Sequence, residues 1–389
     1  MKFADRMSLL GTESAFEVLV KARALEAEGK DVVHLEIGEP DFDTPAHIVR
    51  AGQEALSEGF THYGPSAGLP ELREAIAEEV SATRGVSFDP DQVVVTPGGK
   101  PIMFYTIMAL AGPGDEVIYP NPGFPIYESV IKFSGAKPVP IPLREDRDFS
   151  LDVNELKDLV TDRTKLIIIN SPQNPTGGIL PEDDLRAIAE IAVAGGVPVL
   201  ADEIYSRMLY DGAFKSVSVY DGMADLTVIL DGFSKTYAMT GWRIGYGVMP
   251  TDLAAHLTRL MTNTNSCTAS FTQRAAVAAL KGPQDESERM MAEFKKRRDI
   301  FVAGLNAIDG ITCRLPAGAF YTFPNITGVG KSSREFADML LYEGCVAGLA
   351  GPDFGAYGEG YIRFSYANSV ENINKALERI ADCARKIKS

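Results

Sequence analysis

Residues 230–246 read Leu230-Asp-Gly-Phe-Ser-Lys-Thr-Tyr-Ala-Met-Thr-Gly-Trp-Arg-Ile-Gly-Tyr246. An apolar run, residues 226–230, precedes a turn of small residues that holds Lys235, and Arg243 follows eight positions later. The run is patterned as a buried parallel strand, and the ends of such strands are where open α/β sheets place their ligands. Lys235 therefore reads as a chemical group rather than a solvated side chain. A lysine there can carry an aldehyde cofactor covalently, with Arg243 holding an anionic part of it. The amine attacks an aldehyde only when unprotonated, which burial and a neighbouring cation promote.

Working outward, a βα rhythm surrounds this turn. Strands are expected at residues 92–96, 116–119, 165–170, 198–201, 226–230 and 245–249, with helix-length segments between them, such as 101–111 and 181–194. Strands alternating with helices imply crossover connections, hence an α/β fold with a mainly parallel, seven-stranded-type sheet sandwiched by helices. Upstream lie a helix at 14–29 ending on Gly29, a strand at 32–37, a proline-rich loop (Gly38-Glu-Pro-Asp-Phe-Asp-Thr-Pro45), a helix at 46–58, and a helix beginning near Pro70. After about residue 280 the pattern becomes a long charged helix at 286–307 and strands around Thr312 and 320–323. A helix at 333–342, a strand at 361–366 and an amphipathic terminal helix complete it. Residues 46–280 thus read as a large cofactor-binding domain, and 1–45 with 281–389 as a smaller α+β domain.

The chain has 389 residues and a formal net charge of −15. That surface argues against nonspecific binding to nucleic acid or anionic membrane, so an anionic substrate must be caught by local arginines or helix ends. Cys267, Cys313, Cys345 and Cys383 are far apart, and His34, His47, His62 and His256 show no ligand spacing. Neither a disulfide framework nor a metal site is expected. With no apolar leader after Met1 and no run long enough to span a bilayer, the expected location is the cytoplasm.

Three further strand ends carry chemistry. In Thr96-Pro-Gly-Gly-Lys-Pro101, Gly98 and Gly99 leave backbone N–H groups free where a helix begins, suiting a phosphate or simply making a tight turn. Pro101 rules out the phosphate loop that requires Gly-Lys-Ser/Thr. In Asn170-Ser-Pro-Gln-Asn-Pro-Thr-Gly-Gly178, Asn174 sits between prolines and either offers an amide to a ligand or forms a turn. In Val199-Leu-Ala-Asp-Glu-Ile-Tyr205, Asp202 follows buried strand residues, so its carboxylate needs a cationic partner or caps the next helix. A phosphate, a ring nitrogen seeking a carboxylate, a ring hydroxyl and an aldehyde together describe pyridoxal 5′-phosphate.

GEPDFDTP, NSPQNPTG, ADEIY, GFSKTYAMTGWRIGY and YIRFSYA, in this order, resemble the class I aminotransferases of the fold type I pyridoxal-phosphate family, in their bacterial aspartate/aromatic branch. The resemblance implies that Lys235 binds the cofactor and shuttles the proton between substrate Cα and cofactor C4′. Asp202 would pair with the ring nitrogen, and Asn174 and Tyr205 with the ring oxygen. Gly98, Gly99 and Lys100 would offer backbone contacts to phosphate, Arg243 its charge and Ser234 a hydroxyl. The residue three before the lysine is Gly232, where relatives that use a phosphate hydroxyl have serine. Phe124 matches the aromatic that stacks on the ring, with Tyr127 a competitor for that place. Tyr63 resembles the tyrosine that reaches the neighbouring subunit's phosphate, implying a homodimer with shared sites. Arg363 resembles the arginine that grips the substrate α-carboxylate, beside the backbone of Gly38, and its alternative is a structural salt bridge.

The implied activity is ping-pong transamination from an L-amino acid, aspartate first, to a 2-oxo acid such as 2-oxoglutarate. Aromatic, branched-chain or basic donors stay open, as does β-elimination with the same cofactor. A silent binding protein on this fold is disfavoured by the intact Lys235, Asp202 and Arg243. No residue for the substrate side chain is identifiable at this level.

Overall fold

The computed structural model describes residues 1–388. Its central sheet has eight strands in the spatial order Val93–Thr96, Gly245–Val248, Thr227–Gly232, Val199–Asp202, Thr164–Asn170, Glu116–Asn121, Lys137–Arg144 and Ser150–Leu151. Gly245–Val248 is antiparallel to both neighbours and Ser150–Leu151 pairs antiparallel at the edge, while the other pairings are parallel. The expected seven-stranded sheet is thus present, with a two-residue eighth strand added.

Residue parity decides which side chain faces which layer, because successive strand residues point to opposite faces. Val94, Val117, Leu166, Ile168, Leu200, Val228 and Leu230 pack with residues of the helices Lys100–Leu110, Ile126–Ser134 and Thr251–Thr264. Val93, Val95 and Ile229 face the opposite layer, under Ala46–Ser57, Pro70–Arg84 and Ser270–Lys281. Ile167, Ile169, Val199 and Ala201 face the layer that includes helix Glu182–Gly195. Continuing the same parity puts Asn170, Asp202 and Leu230 on one face and Asp231 on the other.

Lys137–Arg144, which sequence patterning passes over, explains itself by where its prolines point. The Lys137 N–H donates to Asp115 O at 2.8 Å. Pro138, Pro140 and Pro142 alternate with the residues facing the Glu116–Asn121 strand, so their missing donors lie toward the open edge.

The remaining elements build a second core. Asp285–Asn306, Ser333–Tyr342 and Val370–Lys388 pack over two small sheets, one pairing Tyr321–Thr322, Ile362–Ser365 and Leu349–Ala350, the other Val33–His34 with Val346–Ala347. Helix Ser14–Ala27 contacts the Val346–Ala347 and Leu349–Ala350 strands. The expected strand at 32–37 shrinks to Val33–His34. The chain beyond it is pulled into other work: Leu35 O accepts from Ser365 N at 2.7 Å, and the Glu36 and Gly38 carbonyls accept from side chains described below. The strand expected around Thr312 reduces to a single bridge with Asn325. Near the N-terminus the chain crosses onto helix Ile126–Ser134, where Gly11 N donates to Ser129 Oγ at 2.8 Å.

Candidate active site

A cavity of about 520 Å³ opens at the ends of the strands Thr164–Asn170, Val199–Asp202 and Thr227–Gly232 and is closed on its far side by Tyr321 and Arg363. Asp202 forms its floor. The carboxylate is buried, its Oδ2 accepts from the Tyr127 hydroxyl at 2.6 Å, and its Oδ1 accepts from Ile204 N at 3.3 Å. Burial pushes its pKa up to about 6, against the pull of those two donors. Tyr127 is therefore the partner of Asp202, held edge-on to Phe124 with ring centroids 5.7 Å apart, and both rings line the cavity.

Asn170 staples the next loop by donating to Pro172 O and Asp202 O while accepting from Asn174 N at 2.9 Å. Asn174 is fixed with its amide oxygen accepting from Arg363 Nη1 at 3.1 Å, which leaves the NH2 as the part able to donate to a ligand. Tyr205 and Tyr321 share a hydroxyl–hydroxyl hydrogen bond of 2.8 Å, and burial raises both phenols above their ordinary values. Tyr321 also explains Gly38: a Cβ at residue 38 would overlap its hydroxyl.

Lys235 Nζ donates to Gly38 O at 2.6 Å and lies 5.7 Å from the centroid of the Phe320 ring. Its pKa is brought down to about 8, chiefly by burial, with Arg363 and then Arg243 acting in the same direction against Glu39 and Glu13. The cation expected to assist it from sequence was Arg243, and Arg363 proves the stronger influence.

Arg363 is buried between the rings of Tyr321 and Phe354, at 4.6 and 4.9 Å from their centroids. Its Nη2 donates to Glu36 O, and its Nε is buried without a hydrogen-bond partner. Among the described residues no carboxylate forms an ion pair with it. A buried guanidinium held by neutral acceptors and retaining an orphaned N–H is built to receive an anion.

At the other end, Gly98 adopts φ +88° and Gly99 precedes helix Lys100–Leu110. Arg243 packs against Gly98 so closely that a Cβ there would overlap its Nη2, and its Nη1 donates to Thr240 O at 2.7 Å. Arg243 itself holds φ +53°, a left-handed conformation unusual for a side-chain-bearing residue. Ser234 is buried on the cavity wall. The Lys100 backbone stands at the helix start, while its ammonium pairs with Glu13 and lies 5.6 Å from the Phe124 ring centroid. Gly232 is glycine because backbones converge there: a Cβ would lie 3.0 Å from Gly245 Cα and 3.3 Å from Ile244 O. Of the residues singled out from sequence, Gly98 sits behind Arg243 rather than on the cavity lining, and Tyr63 is 87% exposed and outside it.

The cavity combines a buried carboxylate, a deprotonatable lysine, a helix start beside an arginine, and a second arginine awaiting an anion. The family model described as aminotransferase class I and II matches residues 30–380. This chain is a class I and II aminotransferase. It is 40% identical to an aspartate aminotransferase of Pyrococcus abyssi, over all of both chains. It is 38% identical to aromatic-amino-acid aminotransferase 2 of Thermococcus litoralis, over 98% of this chain and 97% of that one. The crystal structure of the aspartate aminotransferase from Rhizobium meliloti superposes with a TM-score of 0.95, at 37% identity over 99% of each chain. The enzyme is a pyridoxal-phosphate-dependent transaminase, and the donor set in the cavity fits that cofactor's phosphate, ring nitrogen, ring oxygen and aldehyde. No group of metal-binding side chains occurs among the described residues, and no helix among them is long and apolar enough to cross a membrane.

Sequence reading missed the Tyr127–Asp202 bond, Tyr321 and Glu13. Tyr127 and Tyr321 are indistinguishable from core aromatics by pattern alone. Glu13, the residue just before helix Ser14–Ala27, looks like a solvated cap.

Proposed function

We propose that this aminotransferase transfers the amino group of L-aspartate to 2-oxoglutarate in a cytoplasmic homodimer. The observation that carries the substrate reading is a second cation in the cavity. Arg363 suits the α-carboxylate, and Lys100, at the mouth, is the group within the lining able to meet a second carboxylate. Names among the relatives agree, since the Pyrococcus abyssi and Rhizobium meliloti proteins are called aspartate aminotransferases.

In this reading, residues 46–280 bind the cofactor and 1–45 with 281–389 bring Arg363 and Gly38 over it. Asp202 pairs with the ring nitrogen, Asn174 and Tyr205 with the ring oxygen. Phe124 covers the ring face. Gly98, Gly99, Lys100 backbone, Ser234 and Arg243 surround the phosphate. The bound cofactor supplies an electron sink and a carrier for the amino group. Lys235 supplies the proton traffic, because a buried amine near pKa 8 is unprotonated for a usable fraction of the time at neutral pH and can take a proton from Cα. Its reach to Gly38 O puts it against the backbone that would also border the substrate carboxylate. Arg363, Asn174 and Gly38 orient that carboxylate, and Tyr321 excludes water from the same side. Tyr63, exposed here, would complete the phosphate site of a second copy. Support comes from an open cleft lined by Trp242, Cys267 and Phe271, which shares Arg243 and Thr240 with the cavity.

The Glu13–Lys100 pair favours a second reading. With Lys100 neutralised and Phe16 and Ile37 on the same wall, an aromatic donor is accommodated. A panel of aspartate, glutamate, phenylalanine, tyrosine and alanine against 2-oxoglutarate separates the two. The first reading expects aspartate to have the highest kcat/KM. Phenylalanine or tyrosine ahead of aspartate by tenfold would replace it with the second.

A further inference from the structure

On the sheet face turned away from the cavity, one residue beyond Asp202 and four before Lys235, three charged side chains are buried together. Arg84, the last residue of helix Pro70–Arg84, donates through Nε to Glu203 Oε2 at 2.9 Å and through Nη2 to Asp231 Oδ2 at 2.7 Å. Ser216 Oγ donates to Glu203 Oε1 at 2.5 Å, Ser206 Oγ to Asp231 Oδ2 at 3.1 Å, and Gly232 N to Asp231 Oδ1 at 2.7 Å. Every carboxylate oxygen thus accepts a hydrogen bond, and each acid meets a nitrogen of the Arg84 guanidinium. Burial raises both acids above the ordinary carboxylate range, and Arg84 pulls both back toward the ionised form. With both ionised, one guanidinium offsets one of them, and the cluster carries a surplus negative charge.

The surroundings do not cancel that surplus. Arg207, which also faces Asp231, is paired with Glu79, and Tyr237 and Tyr246 on the same polar pocket are neutral phenols raised by burial. Asp202, on the other face, meets Tyr127 and the Ile204 N–H. Asp231 and Glu203 both act on it as like charges. Glu203 N donates to Leu230 O at 2.8 Å, which locks the two strand ends in register. A buried ionic cluster is a poor way to stabilise a fold when apolar packing would serve as well. Its placement behind the two strands that deliver Asp202 and Lys235 suggests another use.

We propose that the Arg84–Glu203–Asp231 cluster is a positioning and electrostatic support for the cofactor: its surplus negative charge keeps a proton on the ring-nitrogen–Asp202 pair. The proposal rests on the assignment of Asp202 to the ring nitrogen. A negative charge behind that pair favours the protonated state of either member, so removing it must release the proton at lower pH.

The test is the holoenzyme reconstituted with ring-15N pyridoxal phosphate, with the ring-nitrogen chemical shift followed from pH 6 to 11 in wild type, Asp231→Asn, Glu203→Gln, Arg84→Lys and Asp202→Asn. Asp231→Asn and Glu203→Gln should each lower the deprotonation midpoint by about one pH unit, roughly tenfold in proton affinity. Arg84→Lys, which keeps the charge, should leave it within a few tenths. A folded Asp231→Asn or Glu203→Gln with an unmoved midpoint overturns the proposal. If Asp202→Asn leaves the midpoint unmoved, the assignment of Asp202 has failed instead. Should neither neutralised variant fold, Arg84→Met, which leaves two negative charges, must raise the midpoint. If that variant also fails to fold, the cluster is a folding element and the proposal falls.

Discussion

Replacing Tyr127 by phenylalanine removes one hydroxyl from a fully buried ring and leaves the shape of the wall unchanged. What is lost is a hydrogen bond of 2.6 Å to an ionised, buried carboxylate, a type of contact contributing about 1.5–3 kcal/mol. At 1.36 kcal/mol per pH unit, this would raise the Asp202 pKa from about 6 by roughly 1–2 units, to about 7–8. The sign follows from the direction of the shift. Asp202 is already raised above the ordinary carboxylate range, so the acid form is the one the fold favours; the stability that form contributes is full below the ordinary carboxylate value and is lost as pH rises through about 6, where the group ionises. The variant moves that window upward, through neutrality.

If the cofactor's protonated ring requires ionised Asp202, apparent affinity scales with the ionised fraction. At pH 6.5 about three-quarters of the wild type is ionised, against about one-quarter for a pKa of 7 and about one-thirtieth for 8. The Kd of the apo variant for pyridoxal phosphate should therefore be roughly 3–25 times weaker at pH 6.5 and converge on wild type near pH 9. Titration can be followed through the fluorescence of Trp242, the chain's single tryptophan and the neighbour of Arg243. A Kd ratio that is independent of pH, or that grows with it, would refute the reasoning.

Arg363→Lys should raise KM for donor and acceptor together by roughly 30-fold, about 2 kcal/mol for a lost forked contact, while the cofactor's visible spectrum stays unchanged. Glu13→Gln frees Lys100 and should lower KM for aspartate a few-fold without altering that for alanine; Lys100→Met should do the opposite for aspartate alone. Gly232→Ser places a Cβ 3.0 Å from Gly245 Cα, so it should lower stability by about 1–3 kcal/mol in a chemical-denaturation curve rather than tighten phosphate binding.

Much of this was legible in the sequence because the central sheet is patterned by apolar runs that end in polar residues. Leu200 before Asp202, and Leu230 before the Lys235 turn, announce both a strand and what its end delivers. Lys137–Arg144 was hidden because three prolines in eight residues read as loop, and only the sheet's open edge makes them tolerable. The strand at 32–37 was overread since its later residues are buried for another reason, Leu35 and Glu36 handing their carbonyls to Ser365 N and Arg363. Site residues distant in sequence, such as Glu13 with Lys100 and Tyr205 with Tyr321, meet only through tertiary folding, and no local spacing encodes that. Gly232 departs from the serine pattern for a steric reason that becomes visible once Gly245 is seen beside it.

The most direct measurement of the central claim is a single half-reaction. Purified holoenzyme mixed with L-aspartate and no 2-oxo acid should lose its lysine-linked visible band, release one equivalent of oxaloacetate per site, and recover the band when 2-oxoglutarate is added. Lys235→Ala should show neither the band nor the cycle. Retention of the band in Lys235→Ala, or continuous release of ammonia from the wild type without an acceptor, would contradict the account.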